Sequence, residues 1–268
     1  MGNLYFDLTE ELNAAETVVA LASGQAVVYY RLAMMSKDGD WVVRETPEAC
    51  RRVLEVLQRH GARYRPGAPL DVSWLAGGWS SHFEFTDPGR RRVRCDFLSR
   101  PPRMDPREVE ALFAQPRRGL LVVEIEPLIR MKQTQRAKDY PVIGELARLL
   151  PPGREIELTT DPDRILALAP AHGQGSRRAP VRAAVAPGSR EAVVVELARE
   201  TDRLQQEDRA RLQRYREASE TYLRELQAAG LGDLDLLEAH RRMLELAGRH
   251  LPRDPLDPED GHGAAERG

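Results

Sequence analysis

Residues 17–43 read TVVALASGQAVVYYRLAMMSKDGDWVV, and this stretch decides the fold class that the sequence predicts. The apolar run Thr17–Ala22 predicts a short strand, the Ser23-Gly24 pair ends it, and Gln25–Ala33 has the pattern of a helix. Met35–Val43 follows, and its pattern suits either a second strand or, around Lys37–Asp40, a turn. This alternation of strands and helices indicates an α/β (α+β) domain with a mixed sheet flanked by helices.

Length and composition set limits on what the protein can be. The chain has 268 residues, of which 41% are hydrophobic and 31% charged, and its formal net charge is −2. Such a length can bury one sizeable core and still carry an accessory domain. A charge so near zero provides no general attraction for nucleic acid, so any such contact would need local patches. Two cysteines and no long apolar run at the start predict a cytoplasmic protein without disulfides, signal peptide or membrane span.

Three further regions follow the predicted domain of residues 1–150. Residues 151–190 contain two punctuated stretches and are interpreted as a connector with one short helix, opened by Asp161-Pro162. Residues 191–250 form a predicted helical C-terminal region, whose apolar stripe could serve as a partner or homodimer surface. Residues 251–268 are rich in Pro, Asp and Gly, which predicts a disordered tail.

The Ser23-Gly24 turn is the first candidate for ligand binding. A helix leaves backbone N–H groups free at its start, and these groups together with the helix dipole suit a phosphate. A plain tight turn is the commoner explanation for two such residues. The turn alone therefore leaves both interpretations open.

Asp38-Gly39-Asp40 provides the first candidate carboxylates. On a strand, Asp38 and Asp40 would project from one face and repel each other unless a cation lay between them. A magnesium ion coordinated by carboxylates and substrate phosphates would remove that repulsion. The same residues also suit a solvent-exposed turn, and this stretch alone does not decide between the two.

Asp96 provides a third carboxylate. Ser81–Thr86 and Arg91–Leu98 predict two strands joined by the hairpin turn Asp87-Pro88-Gly89. Because side chains alternate along a strand, Asp96 lies on the face opposite the row of Val93, Cys95 and Phe97. It is therefore either exposed on an open sheet face or directed into a site. Three strand-borne carboxylates match the needs of two-metal phosphoryl chemistry.

The order of these features resembles the nucleotidyltransferase superfamily, in which a Gly-Gly or Gly-Ser turn precedes a D-x-D/E pair. Here thirteen residues separate Gly24 from Asp38. The likeness is closest to the minimal bacterial branch that includes AbiEii-type toxins. Residues Ile125–Asp139 resemble that branch's L-I-x-x-K-x-x-x-R-x-K-D segment, between an apolar run predicted as a strand (Leu120–Val123) and a helix through Leu150.

The resemblance covers roughly residues 15–150 and implies a magnesium-dependent nucleotidyltransferase, which moves a nucleoside monophosphate from an NTP to a hydroxyl. Its catalytic and metal-binding residues would be Asp38, Asp40 and Asp96, which would hold two Mg²⁺ ions, with Asp96 also the base for the acceptor. Its nucleotide-binding residues would be Ser23, Gly24, Ser36, Lys132, Arg136 and Asp139. On a helix, Lys132 and Arg136 would share one face, although a solvated amphipathic helix would show the same pattern.

The resemblance leaves the acceptor and the activity open. The acceptor could be RNA or tRNA, a protein or a small molecule, and the toxin members suggest a toxin–antitoxin component with an antitoxin as partner. Ser23 stands where the family has glycine, and Gly39 replaces a β-branched residue, which would weaken the strand. The alternative is therefore a weak or inactive protein of this fold that acts as a nucleotide-binding or protein-interaction module.

Overall fold

The computed structural model describes residues 2–114, 119–185 and 189–257, which form two compact units. The first unit comprises the described residues of Met1–Tyr29, Ala33–Val123 and Leu212–Gly268, and the second those of Tyr30–Leu32 and Glu124–Arg211. The domain ranges expected from the sequence, which are 1–150, 151–190, 191–250 and 251–268, stay a prediction.

The first unit contains a five-stranded mixed sheet in the order β1-β2-β5-β4-β3. The parallel pair is β2 with β5, and every other pair of neighbouring strands is antiparallel. The strands are β1 (Val19–Ala22), β2 (Gly39–Val43), β3 (Arg63–Tyr64), β4 (Ser80–Thr86) and β5 (Arg92–Leu98). The predicted mixed α/β architecture, with its helical C-terminal region, is confirmed.

Helices make up most of the remaining described chain. They are α1 (Leu4–Leu12), α2 (Ser23–Tyr29), α3 (Pro47–Arg59), α4 (Val72–Leu75), α5 (Pro106–Leu112), α6 (Ile125–Lys132), α7 (Tyr140–Ala147), α8 (Pro152–Leu158), α9 (Pro162–His172), α10 (Ala179–Val185), α11 (Arg190–Ala228) and α12 (Leu236–His250). Two 3₁₀ turns cover Ala137–Asp139 and Leu231–Asp233. Among the helices that the structure describes, none is both long enough and apolar enough to cross a membrane.

The hairpin of β4 and β5 follows the sequence prediction closely. Thr86 pairs with Arg92, and the Asp87 side chain accepts a 2.7 Å hydrogen bond from the Arg91 backbone N–H, which closes the turn. On β5, Val93, Cys95 and Phe97 are buried, whereas the residues between them are half-buried or exposed. Across β4 and β5 the sheet therefore has one core face and one partly exposed face, called the open face below, whereas β1 and most of β2 are buried on both faces.

The core of the first unit lies on the face that carries Phe97. Trp41 is fully buried, stacks on Phe97 with ring centroids 5.1 Å apart, and donates a 2.8 Å hydrogen bond from Nε1 to Thr9 Oγ1 of α1. The amphipathic helix α3 adds apolar residues such as Val53 and Leu57 to the same cluster. Because each large buried side chain contributes about 1.5–3 kcal/mol, this packing fixes β2 and β5 firmly.

The end of the described chain is packed rather than free. Trp74 and Trp79 donate from their indole nitrogens to the backbone oxygens of Leu251 (3.2 Å) and Pro252 (2.9 Å). Leu251 is itself buried. The first residues of the segment predicted to be a disordered tail are thus hydrogen-bond acceptors for two buried tryptophans. Residues 258–268 of that tail lie outside the described residues.

The second unit shows that the predicted connector is mostly helical. The described part of this range, residues 151–185 and 189–190, contains α8, α9, α10 and the first residue of α11, where the sequence predicted one short helix. The predicted start of α9 is confirmed, with Asp161 as N-cap and Pro162 in the first turn. Ile156, Ile165 and Val181 form the centre of an apolar cluster between these helices. Short apolar segments separated by proline resembled a linker, and only their packing against one another shows a core.

Smaller differences concern where elements begin and end. The helix predicted over Gln25–Ala33 begins at Ser23 and ends at Tyr29. The apolar run Leu120–Val123 forms an isolated parallel bridge from Val122 to Leu21 rather than a strand. Both cysteines are free and buried, in agreement with the expected absence of a disulfide framework.

Candidate active site

Asp40 and Asp96 lie side by side on the open face of the sheet. They are register partners on the adjacent parallel strands β2 and β5. Their neighbours Trp41 and Phe97 point into the core, so alternation places both carboxylates on the opposite, half-buried face. Neighbouring strands are about 4.8 Å apart, and two carboxylates at that separation repel each other unless a cation compensates them.

Asp38 lies just before β2 rather than within it. The strand begins at Gly39, and Lys37 and Asp38 form a bend before it, so the strand interpretation holds from Gly39 onward and the turn interpretation holds for Asp38. The Asp38 carboxylate forms an ion pair with Arg94, with 3.7 Å between Oδ1 and Nη1. Its side chain is 41% exposed. The structure thus places Asp38 at the edge of the pair formed by Asp40 and Asp96, with an arginine as its immediate counterion.

Asp96 is held by two donors that the sequence reasoning did not identify. His82, directly opposite on β4, donates from Nδ1 to Asp96 Oδ1 at 2.9 Å, and Arg65 donates from Nη1 to the same oxygen at 3.1 Å. The Nδ1 of His82 is the donor in the tautomer that suits an acceptor carboxylate. The hairpin turn was the signal that could have found His82, since it sets the register that pairs residue 82 with residue 96.

Gly39 is surrounded by aromatic rings. A Cβ atom at this position would lie within 3.0 Å of ring carbons of both Tyr5 and Trp41. Tyr5 also donates a 2.7 Å hydrogen bond from its hydroxyl to the backbone oxygen of Lys37. Burial, followed by the nearby Cys95 and the charges of Asp38 and Asp40, raises the pKa of Tyr5 to about 12, so this hydroxyl keeps its proton. The expectation that Gly39 weakens the strand was thus incomplete, because two rings fill the space of the missing side chain.

Ser23, Gly24 and Ser36 lie together at the start of α2. Ser23 has a positive φ of 50°, which lies in the left-handed region that favours glycine. A Cβ at Gly24 would lie within 3.0 Å of both Cβ and Oγ of Ser36. The backbone oxygen of Ser36 accepts a 2.9 Å hydrogen bond from Nε2 of the buried Gln25. The structure therefore brings these three predicted nucleotide-binding residues together.

We expect Gly24→Ala to lower the free energy of unfolding by about 1 kcal/mol, since the added methyl group overpacks against Ser36. Denaturant unfolding of the single variants and of Gly24→Ala/Ser36→Gly would measure it. The double variant should lose little more unfolding free energy than Ser36→Gly alone, because the atoms that clash with the added methyl group are gone. If the losses of the two single variants simply add in the double variant, the contact with Ser36 is not the cause of the destabilisation by Gly24→Ala.

Lys132, Arg136 and Asp139 form a cluster in the second unit. Asp139 forms ion pairs with Lys132 Nζ at 3.9 Å and with Arg136 Nε at 3.6 Å. The predicted shared helix face was wrong, because α6 ends at Lys132 and Arg136 lies in the following turn. Arg136 instead pairs with Asp139, three residues further along the chain. Lys132 is buried, whereas Arg136 is half exposed.

Asp38, Asp40 and Asp96 have the right chemistry for magnesium, although their side chains do not form a ready coordination site. Carboxylate oxygens are the ligands that Mg²⁺ prefers, and one or two carboxylates plus substrate phosphates are its usual protein site. Asp40 and Asp96 meet that description by their register. Within residues 2–114, 119–185 and 189–257, no group of three or more Asp, Glu, His or Cys side chains is already arranged to hold a metal ion. Of the three predicted ligands, Asp40 and Asp96 are the two that the sheet register places next to each other.

No protein-family model and no curated protein matches this chain. The chain is similar to a solved structure described as a "putative nucleotidyltransferase" from H. pylori, with 15% identity and a TM-score of 0.39 over 77% of this chain and 95% of that one. It is also similar to JHP933 from Helicobacter pylori, with 14% identity and a TM-score of 0.39 over 77% of this chain and 93% of that one. Similarity this low carries no argument about function, and the AbiEii-type branch stays a prediction.

Proposed function

We propose that the open sheet face is the active site of a metal-dependent nucleotidyltransferase. The observation that carries this proposal is the register of Asp40 with Asp96 on parallel strands, facing away from the core. Two adjacent carboxylates cost stability unless they bind a cation, so their presence on a half-buried face favours a binding role. Asp38, two residues before Asp40, supplies a third carboxylate at the edge of the pair.

Three aspartates would bind the metal, and one of them would also accept a proton. Asp40 and Asp96 would hold magnesium, with Asp38 as a further ligand. Magnesium, when bound, neutralises the triphosphate and the leaving pyrophosphate. Asp96 would accept the proton of the acceptor hydroxyl, and the bonds from His82 and Arg65 to its Oδ1 would keep its second oxygen correctly oriented for this role.

The remaining assignments rest on the sequence resemblance. Lys132, Arg136 and Asp139 stay predicted nucleotide-binding residues. RNA, tRNA, a protein hydroxyl and a small molecule stay open as acceptors, as does a toxin–antitoxin role with an antitoxin as partner. The apolar stripe of the C-terminal helices is in part internal, since Tyr222 is 1% exposed and packs in a core cluster of the first unit. This burial favours a structural role for that part of the stripe over a partner surface.

One observation favours the alternative of a weak or inactive nucleotide-binding or interaction module. Asp38 and Asp96 each have a cationic partner in the fold, Arg94 and Arg65 respectively. A site whose carboxylates were permanently neutralised in this way would keep the fold without the chemistry.

Calorimetry with Mg²⁺-ATP on the wild-type protein and on Asp96→Ala distinguishes the two functions when it is combined with a transfer assay. We expect Mg²⁺-dependent binding that Asp96→Ala weakens, and transfer of label from an α-labelled NTP to the RNA or protein fraction of a cell extract. Binding without transfer to any fraction would support the module. Absence of both would contradict the proposed function altogether.

A further inference from the structure

The open sheet face carries a row of arginines beside the carboxylates, and they have different partners. Along β5, residues 92, 94 and 96 share this face, because side chains alternate. Arg94 forms an ion pair with Asp38, whereas Arg92 forms hydrogen bonds with Glu84 on β4, one of them 2.9 Å from Nε to Oε2. Two arginines only two positions apart therefore differ in whether they reach the proposed metal ligands.

We propose that Arg94 is a built-in counterion that occupies Asp38 in the metal-free protein and competes with the metal for it. The inference rests on the proposed function, since it concerns the binding of magnesium at the same carboxylates. The Arg94 guanidinium reduces the repulsion that Asp38 would otherwise exert on Asp40. When a divalent cation binds, Asp38 must exchange one positive partner for another, so the Arg94 ion pair opposes binding.

Asp96 differs from Asp38 in this respect. Both of its described donors, His82 and Arg65, bond to Oδ1, which leaves Oδ2 as the oxygen for a ligand. Hydrogen bonds of this kind orient a metal-binding carboxylate and support its role. Asp38, by contrast, is 41% exposed, and its arginine lies at 3.7 Å in an ion pair that a metal can displace at low cost. Arg94 and the metal therefore compete for Asp38 rather than for Asp96.

The test compares Arg94→Gln with Arg92→Gln, which removes the same charge two positions away without touching Asp38. Calorimetric titration of each full-length protein with Mg²⁺ alone measures its affinity for Mg²⁺. We expect Arg94→Gln to bind Mg²⁺ about threefold to fivefold more tightly than wild type, as suits an exposed ion pair, and to gain more than Arg92→Gln. The gain should shrink at high salt, because screening weakens exposed pairs.

Thermal unfolding in EDTA provides a second readout that is independent of catalysis. Arg94→Gln should melt at a lower temperature than wild type in EDTA and should be stabilised more than wild type by added Mg²⁺. Equal affinities for Arg94→Gln and Arg92→Gln would overturn the role of Arg94 while the proposed function stands. If the wild-type protein binds no Mg²⁺ at all, both the proposed function and this inference fail.

Discussion

Asp40→Asn is expected to abolish nucleotidyl transfer, with a loss of about 10³-fold in rate, and to weaken Mg²⁺-ATP binding. Asparagine keeps the shape of the side chain but removes the charge that a divalent cation needs. Asp40 is the residue to change first because it is the register partner of Asp96 and lies within β2, so its backbone is fixed by the core. Label transfer from an α-labelled NTP and Mg²⁺-ATP calorimetry measure the two effects.

Stability separates a functional effect of Asp40→Asn from a structural one. Asp40 and Asp96 lie next to each other, and like charges directly opposite on neighbouring strands are destabilising. The metal-free variant should therefore melt at the same temperature as wild type or higher, while its activity is lost. Asp7→Asn, an exposed aspartate in the first turn of α1, serves as a matched control and should keep full activity. A large fall in the melting temperature of Asp40→Asn in EDTA would assign Asp40 a structural role instead.

The part of the site that the sequence predicted well is the part governed by strand alternation. Asp96 was placed opposite Val93, Cys95 and Phe97 because a strand permits only two faces, and the structure agrees. The hairpin was equally predictable, since Asp87-Pro88-Gly89 is a strong turn signal. These features are local, so a short window of sequence is enough to determine them.

The partners of the carboxylates were not predicted, because they depend on pairing between strands. Arg65 reaches Asp96 from the residue after β3, and Arg94 reaches Asp38 from β5. Neither contact follows from spacing along the chain. The parallel pairing of β2 with β5, which brings Asp40 beside Asp96, is also a property of the whole sheet. The sequence resemblance named the three aspartates, and only the fold shows which two are adjacent and which cations they meet.

The end of α6 and the structure of the C-terminal segment were also not predictable from local sequence. Lys132 and Arg136 have helical spacing, yet α6 ends at Lys132. Composition predicted disorder from residue 251, yet the backbone oxygens of Leu251 and Pro252 are acceptors for Trp74 and Trp79. For the C-terminal segment a distant contact, rather than local propensity, determines the structure.

Gly39→Ala is expected to lower the free energy of unfolding by about 2 kcal/mol, a large effect for the addition of one methyl group. From the sequence, Gly39 was a weakness, because glycine supplies no side chain to pack and costs backbone entropy in a strand. The structure predicts the opposite, since an added Cβ would lie within 3.0 Å of both the Tyr5 and Trp41 rings. Trp41 is fully buried and stacks on Phe97, so it has little freedom to move away.

Gly248→Ala adds the same methyl group at a position where no other atom is close enough to clash with it. Gly248 lies in the exposed part of α12, and nothing approaches within 4 Å of a Cβ placed there. Because alanine favours a helix over glycine, that variant should gain up to about 1 kcal/mol. Thermal unfolding in EDTA should therefore show Gly39→Ala melting about 4–8 °C lower and Gly248→Ala at or above wild type.

Gly39→Ala should also weaken Mg²⁺ binding, because residue 39 connects Asp38 with Asp40 and any shift that relieves the ring contacts moves both carboxylates. A variant that lost stability but kept its Mg²⁺ affinity would show that the rings of Tyr5 and Trp41 support the fold alone. A variant that lost neither would contradict the packing on which the placement of these aspartates rests. We expect Gly39→Ala to lose both stability and Mg²⁺ affinity, because Gly39 gives the two rings room to pack and also lies between Asp38 and Asp40.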